Sequence, residues 1–158
     1  MKKLLLIIVI LLLANTVSYG GDITGYIELL KSDMRTQKIA VITEAMQLTE
    51  KGASAFWPIH REYEHELSGI IDDRIALIND YMQNHDKLTN EKANEIAKRV
   101  FALEKRRTKL KKKYFRKFEK ALSATTAAKF IQVENQINLL IDLQIASELP
   151  LIKLKAQN

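Results

Sequence analysis

Leu48–Ala53 reads LTEKGA, Leu88–Ala93 reads LTNEKA and Leu122–Ala127 reads LSATTA. Each puts a Leu before a hydroxyl residue and an Ala four residues after it. A Thr or Ser at a helix N-cap accepts a hydrogen bond from one of the first unpaired backbone N–H groups. An apolar residue just before the cap can pack on the residue four beyond it. Thr49, Thr89 and Ser123 are therefore predicted caps. Leu48, Leu88 and Leu122 form one jaw of a hydrophobic staple, and Ala53, Ala93 and Ala127 the other. No Glu or Gln stands three residues after any of these caps, so the reciprocal capping box is absent. The phrase divides the chain into four helices, about 23–46, 50–86, 90–121 and 124–148.

Each segment carries an apolar stripe. Ile27, Leu30, Met34, Val41, Ala45 and Leu48 share a face of the first. Tyr63, Leu67, Ile70, Ile71, Leu77, Ile78 and Tyr81 do so in the second. The third offers Ile96, Val100, Leu103, Leu110, Tyr114 and Phe118, and the fourth Phe130, Val133, Ile137, Leu140 and Ile141. Steps of three and four suit helix-on-helix packing, and Gly and Pro are scarce beyond the amino terminus. The predicted fold is all-α, with a long antiparallel central hairpin that turns near Asp86–Thr89. At 1.5 Å per residue its two helices run roughly 50 Å each, which makes the molecule elongated or cradle-shaped. The stripes of such long helices are wider than the two shorter ones cover, so a homodimer is expected. Pro58 falls inside the second helix, where a kink is expected.

The run KRRTKLKKKYFRKFEK, Lys105–Lys120, has ten basic residues and a single acid, Glu119. A turn centred near residue 87 or 88 sets Lys113 near Glu62, Lys109 near Glu66 and Lys105 near Ile70. Glu62, Glu64, Glu66, Asp72, Asp73 and Asp80 make the facing helix acidic, so part of the run can answer its neighbour. Lys112, Arg116 and Lys120 lie off that seam and stay free for a partner. The same arithmetic gathers Phe56, Trp57, Tyr114, Phe115 and Phe118 at the open end, Trp57 opposite Phe118, either as core or as an aromatic docking surface.

The amino terminus has a different grammar. Met1–Lys3 is basic, Leu4–Ala14 is an apolar run, and Ser18-Tyr19-Gly20 offers small residues before a cut ahead of Gly21. That is the pattern of a secretory signal peptide over residues 1–20, followed by a single helical domain over 21–158. The apolar run is well short of the roughly 18–20 residues of a membrane span. The sequence holds 25 Lys and Arg against 19 Asp and Glu; losing Lys2 and Lys3 leaves 23 against 19, a net charge of +4. With export, so mild an excess makes nucleic acid an improbable partner. The chain contains no Cys, so packing must hold it together without disulfides.

Residue types that support catalysis are sparse: no Cys, no Gly-rich phosphate loop and no His-Glu-x-x-His string. No cofactor and no enzymatic activity are expected. His60 and Glu64 stand one helical turn apart beside His65 and could share a metal with a ligand from elsewhere, or be solvated side chains.

The Leu-hydroxyl phrases, the signal peptide, the Cys-free helical chain and the basic third helix together resemble the Spy/CpxP group of periplasmic proteins, whose hallmark is an LTxxQ motif. The Gln position holds Gly52, Lys92 and Thr126 here. AFWPIHREYE (Ala55–Glu64) and the stretch Lys113–Ile152 are similar to exported bacterial proteins that look like distant members of this group. The resemblance implies a periplasmic, ATP-independent chaperone or envelope-stress adaptor. Such a protein is a cradle-shaped dimer holding unfolded or partner proteins on a basic and apolar face, and some relatives sense metals. The candidate partner-binding residues are Lys109, Lys112, Lys113, Tyr114, Phe115, Arg116 and Lys120. A metal-responsive sensor built on His60, Glu64 and His65, and a peripheral binder of anionic envelope lipid, are the alternatives. Amino-terminal sequencing of exported protein is expected to begin at or near Gly21; material that still begins at Met1 would remove the signal peptide from this reading.

Overall fold

The computed structural model describes residues 37–153. The predicted signal peptide and the start of the first predicted helix lie outside the described residues. Helix α1 runs over residues 37–46, α2 over Glu50–Asn84, α3 over Asn90–Ala121 and α4 over Ala124–Glu148, with a 3-10 turn at His85–Lys87 between α2 and α3. The all-α, four-helix prediction holds, and α2 ends two residues earlier than predicted because its last turn tightens.

All three predicted caps are present. Thr49, Thr89 and Ser123 adopt extended backbones. Their hydroxyl oxygens accept from the N–H of Gly52 at 3.2 Å, Lys92 at 3.2 Å and Thr126 at 3.1 Å. Their carbonyls accept from Ala53, Ala93 and Ala127 at 2.8, 2.9 and 2.9 Å, the first full turn of each helix. Leu48, Leu88 and Leu122 are half-buried, as a staple requires. The other end of α1 is more costly. Gln47 has φ 48°, the left-handed conformation that closes a helix and that Gly adopts freely; a side chain there costs roughly 1 kcal/mol. The Lys129 ammonium donates to the Met46 carbonyl at 3.3 Å, placing positive charge at the negative end of α1.

α2 and α3 form the antiparallel hairpin, and α4 turns back along α3 toward the hairpin tip. α1 packs across the open end through Ile42 and Met46, which are buried with Phe56, Tyr63, Leu67, Leu110, Tyr114, Phe118, Ala127, Phe130, Val133 and Ile137. Nearer the tip, Ile75, Ile78 and Ile145 form a smaller cluster. There the Tyr81 hydroxyl donates to the Pro150 carbonyl at 2.6 Å, and Lys153 pairs with Asp86 at 3.0 Å. Pro58 does not break α2: it sits on the exposed face, so the carbonyl it leaves without a donor can meet water.

Two expectations need correction. Phe56, not Trp57, stacks on Phe118, with ring centroids 4.9 Å apart. The ion pairs across the hairpin are displaced by about one turn: Lys113 meets Glu66 at 2.6 Å and Lys117 takes Glu62 at 2.6 Å. Helical side chains lean toward their own amino terminus. In an antiparallel pair, the long basic chains of α3 and the carboxylates of α2 therefore lean in opposite directions, and their meeting point slides away from the backbone register that the rings keep.

Thr49→Ala, Thr89→Ala and Ser123→Ala are each expected to cost about 1 kcal/mol in denaturant unfolding. Unchanged midpoints in all three variants would mean that the hydroxyls contribute nothing as caps.

Candidate partner-binding face

The cations of α3 divide into two sets. Those flanking α2 are matched to acids: Lys92 and Arg99 to Asp80, Arg106 to Asp73, Lys113 to Glu66 and Lys117 to Glu62. Those flanking α4 reach Asp142 (Arg107, 3.5 Å) and the side-chain amide oxygen Oδ1 of Asn135 (Lys111, 2.6 Å). The outward face, opposite Leu110, Tyr114 and Phe118, carries Lys98, Lys105, Lys109, Lys112, Arg116 and Lys120, all exposed. None of these makes an ion pair among the described residues. Their steps of seven, four, three, four and four keep them in one rank, which at 1.5 Å per residue is about 33 Å long.

The predicted site residues are thus split. Lys109, Lys112, Arg116 and Lys120 stand in the rank. Lys113 is committed to Glu66, and its ammonium lies 5.3 Å from the Tyr114 ring centroid. Tyr114 is fully buried, its hydroxyl donating to Glu66 at 2.7 Å; the hydrogen bonds from Lys113 and Tyr114 hold the Glu66 carboxyl below its ordinary range. Phe115 packs half-buried against the core. The aromatic cluster at the open end is therefore core, a network of Phe56, Tyr63, Tyr114, Phe118 and Phe130 rings. Exposed apolar side chains occur elsewhere: Phe101 on α3, Leu139 and Leu143 on α4, each about two-thirds exposed. Lys98 and Lys105 join the rank without having been among the predicted residues. Lys98 precedes the basic run, and only the helical repeat carries the face back to it.

His60 is not solvated. It is buried between Phe56, Trp57 and Phe130, stacked on Phe56 at 5.6 Å. Its Nε2 makes no hydrogen bond and lies 3.7 Å from Glu64 Oε1. His65 is exposed on another face of α2, so the two imidazoles are not brought together. Among the described residues no group of three His, Cys, Asp or Glu could hold a metal ion.

The structure adds a polar cluster beside His60. Glu134 of α4 is fully buried. Its Oε1 accepts from the Tyr63 hydroxyl at 2.9 Å and the Asn138 amide at 2.9 Å. Lys38 of α1 lies 2.9 Å from Oε2 and donates to Oε1 at 3.1 Å, while also pairing with Glu64 at 2.7 Å. Burial alone would raise the Glu134 pKa, but the Lys38 charge and these hydrogen bonds hold it below the ordinary range. Burial, and then the Lys38 charge, push the His60 imidazole down to about 4.

No protein-family model, curated protein or solved structure matches the chain.

The depressed His60 pKa links folding to pH. An unfolded chain takes up the imidazole proton near 6.5 and the folded one near 4. His60 therefore stabilises the fold fully above pH 6.5, and its contribution is lost as pH falls from 6.5 toward 4, by at most on the order of 3 kcal/mol. His60→Phe is expected to flatten the dependence of unfolding free energy on pH across that window. An unchanged slope would show that His60 is protonated as easily in the fold as out of it.

Proposed function

We propose that the chain is a non-catalytic docking protein of the cell envelope, an ATP-independent chaperone or stress adaptor that holds acidic protein partners along the outward rank of α3. One observation carries this reading: the flanking cations of α3 have partners within the protein, whereas the outward six have none among the described residues. A helix that needed positive charge only to answer its neighbours would have no use for a second, unmatched rank. A line of positive charge without ion-pair partners among the described residues raises the encounter rate with acidic partners, and the exposed Phe101, Leu139 and Leu143 offer apolar contact after capture. The assignment to the envelope rests on the resemblance and on the amino-terminal pattern of the sequence. The metal-sensor reading loses its support because His60 and His65 face apart. The reading assigns no reaction and needs no cofactor.

Lys112→Glu, Arg116→Glu and Lys120→Glu combined are expected to leave helicity and melting nearly unchanged. Suppression of light scattering by a denatured acidic protein should weaken several-fold. Capture by the unaltered protein should fade with added salt, since the screening length is already about 8 Å at physiological strength. Capture indifferent both to salt and to the triple reversal would overturn the proposal. Binding to anionic but not neutral vesicles, without protein capture, would move the rank to lipid.

A further inference from the structure

α1 is held by contacts distant in sequence. Its Lys38 reaches Glu134, 96 positions away, and Glu64. Ile42 and Met46 enter the core, and Lys129 caps the last carbonyl. Seen from α2 and α4, the seat of α1 is a slot with carboxylates at one end, an apolar middle and an ammonium at the other. Lys38, Ile42 and Met46, at steps of four, fit it in one orientation.

That slot is ill-suited to standing empty. Without Lys38, Glu134 would be a buried carboxylate lacking its cation, and Ile42 and Met46 would leave apolar surface behind. Yet the link that folds α1 back onto its own slot is only residues 47–49, and it places Gln47 in a left-handed backbone. A short, strained connection between an element and its seat is the arrangement that invites exchange between copies, because the same contacts form while the link relaxes.

We propose that α1 exchanges between two copies of this chain, so that in the dimer Lys38 of one protomer pairs with Glu134 of its partner. The occupant of each slot is the α1 of a second copy, the segment whose charge and apolar spacing already match it. The inference is independent of the function proposed for α3, whose outward cations the exchange leaves untouched. It gives the expected homodimer a definite geometry, in which each half of the dimer is incomplete without the other.

Charge reversal of the two ends of the pair tests it. Lys38→Glu and Glu134→Lys, each alone, bury like charges and are expected to lower the melting temperature by roughly 10 °C or more, or to prevent folding. Co-refolded in equal amounts, the two chains can exchange α1. One slot then regains the native pair and the other receives the reversed pair. The expected result is a heterodimer by sedimentation, melting close to the unaltered protein. A mixture that behaves as the sum of its parts would overturn the exchange, decisively if the chain carrying both reversals folds by itself. A second measurement does not depend on those variants. Unaltered protein refolded at high concentration is expected to yield dimer, and monomer alone across the concentration range would overturn the proposal.

Discussion

Glu134 has no exposed surface, so its carboxylate charge has to be met from within the protein. The Lys38 ammonium comes from α1, the Tyr63 hydroxyl from α2 and the Asn138 amide from the next turn of α4. Withdrawing both charges from water consumes most of what their attraction returns, so the pair adds little net stability. Its effect is discrimination. Rotating α1 by one residue, or sliding it by one turn, would strand Glu134 in an apolar environment, while the rings around it would tolerate either change far better. The seat of α1 at the open end inherits its register from this requirement.

The boundaries of α3 and α4 and the start of α2 were legible in the sequence because a cap is a local device: Thr49, Thr89 and Ser123 act on residues three positions away. The hairpin was legible to within one residue for the rings, Phe56 standing where Trp57 was expected, and less so for the charges. Short aromatic side chains report where backbones lie, but a Lys reports where its ammonium can reach, which is why Lys113 answers Glu66 instead of Glu62. The candidate face was half legible. Helical repeat alone separates Lys109, Lys112, Arg116 and Lys120 from the core, but the burial of Tyr114 depends on α2 and α4 closing over it, which no local pattern states. The Glu134 cluster was the least visible. Glu134 and Asn138 lie on the same side of α4 as Phe130, Val133 and Ile137, and His60 lies between Phe56 and Tyr63. A polar residue interrupting an apolar stripe was the available signal. That signal does not identify the partner of Glu134, because Lys38 lies on another helix, 96 positions away.

The two charge systems of the protein are physically distinct. The matched flanks of α3 are largely exposed pairs, individually worth roughly 0 to 1 kcal/mol, and their role is to keep α2 and α3 in step without drawing on the core. By neutralising the flanks locally, they leave the excess charge on the face of α3 that no helix covers among the described residues. The Lys38–Glu134 pair operates in the opposite regime, out of water and scarcely screened. Salt that weakens the first system therefore leaves the second nearly untouched, and the face proposed for docking would respond to its surroundings while the fold beneath it does not.

The wide sequence separation of the α1 contacts also sets an order of assembly. The hairpin of α2 and α3 forms from residues close in the chain, whereas seating α1 must close a loop of most of the described length, a step that is entropically late. A chain that emerges from its amino terminus presents Lys38, Ile42 and Met46 before α4 exists to receive them. Until Glu134 arrives, Glu64 is the one of its two described acids that Lys38 can meet, and the part of the core that α4 supplies around α1 is missing. The interval between the emergence of α1 and that of α4 is thus when the chain is most exposed to its neighbours, and its length is set by the 96 positions that separate one lysine from one glutamate.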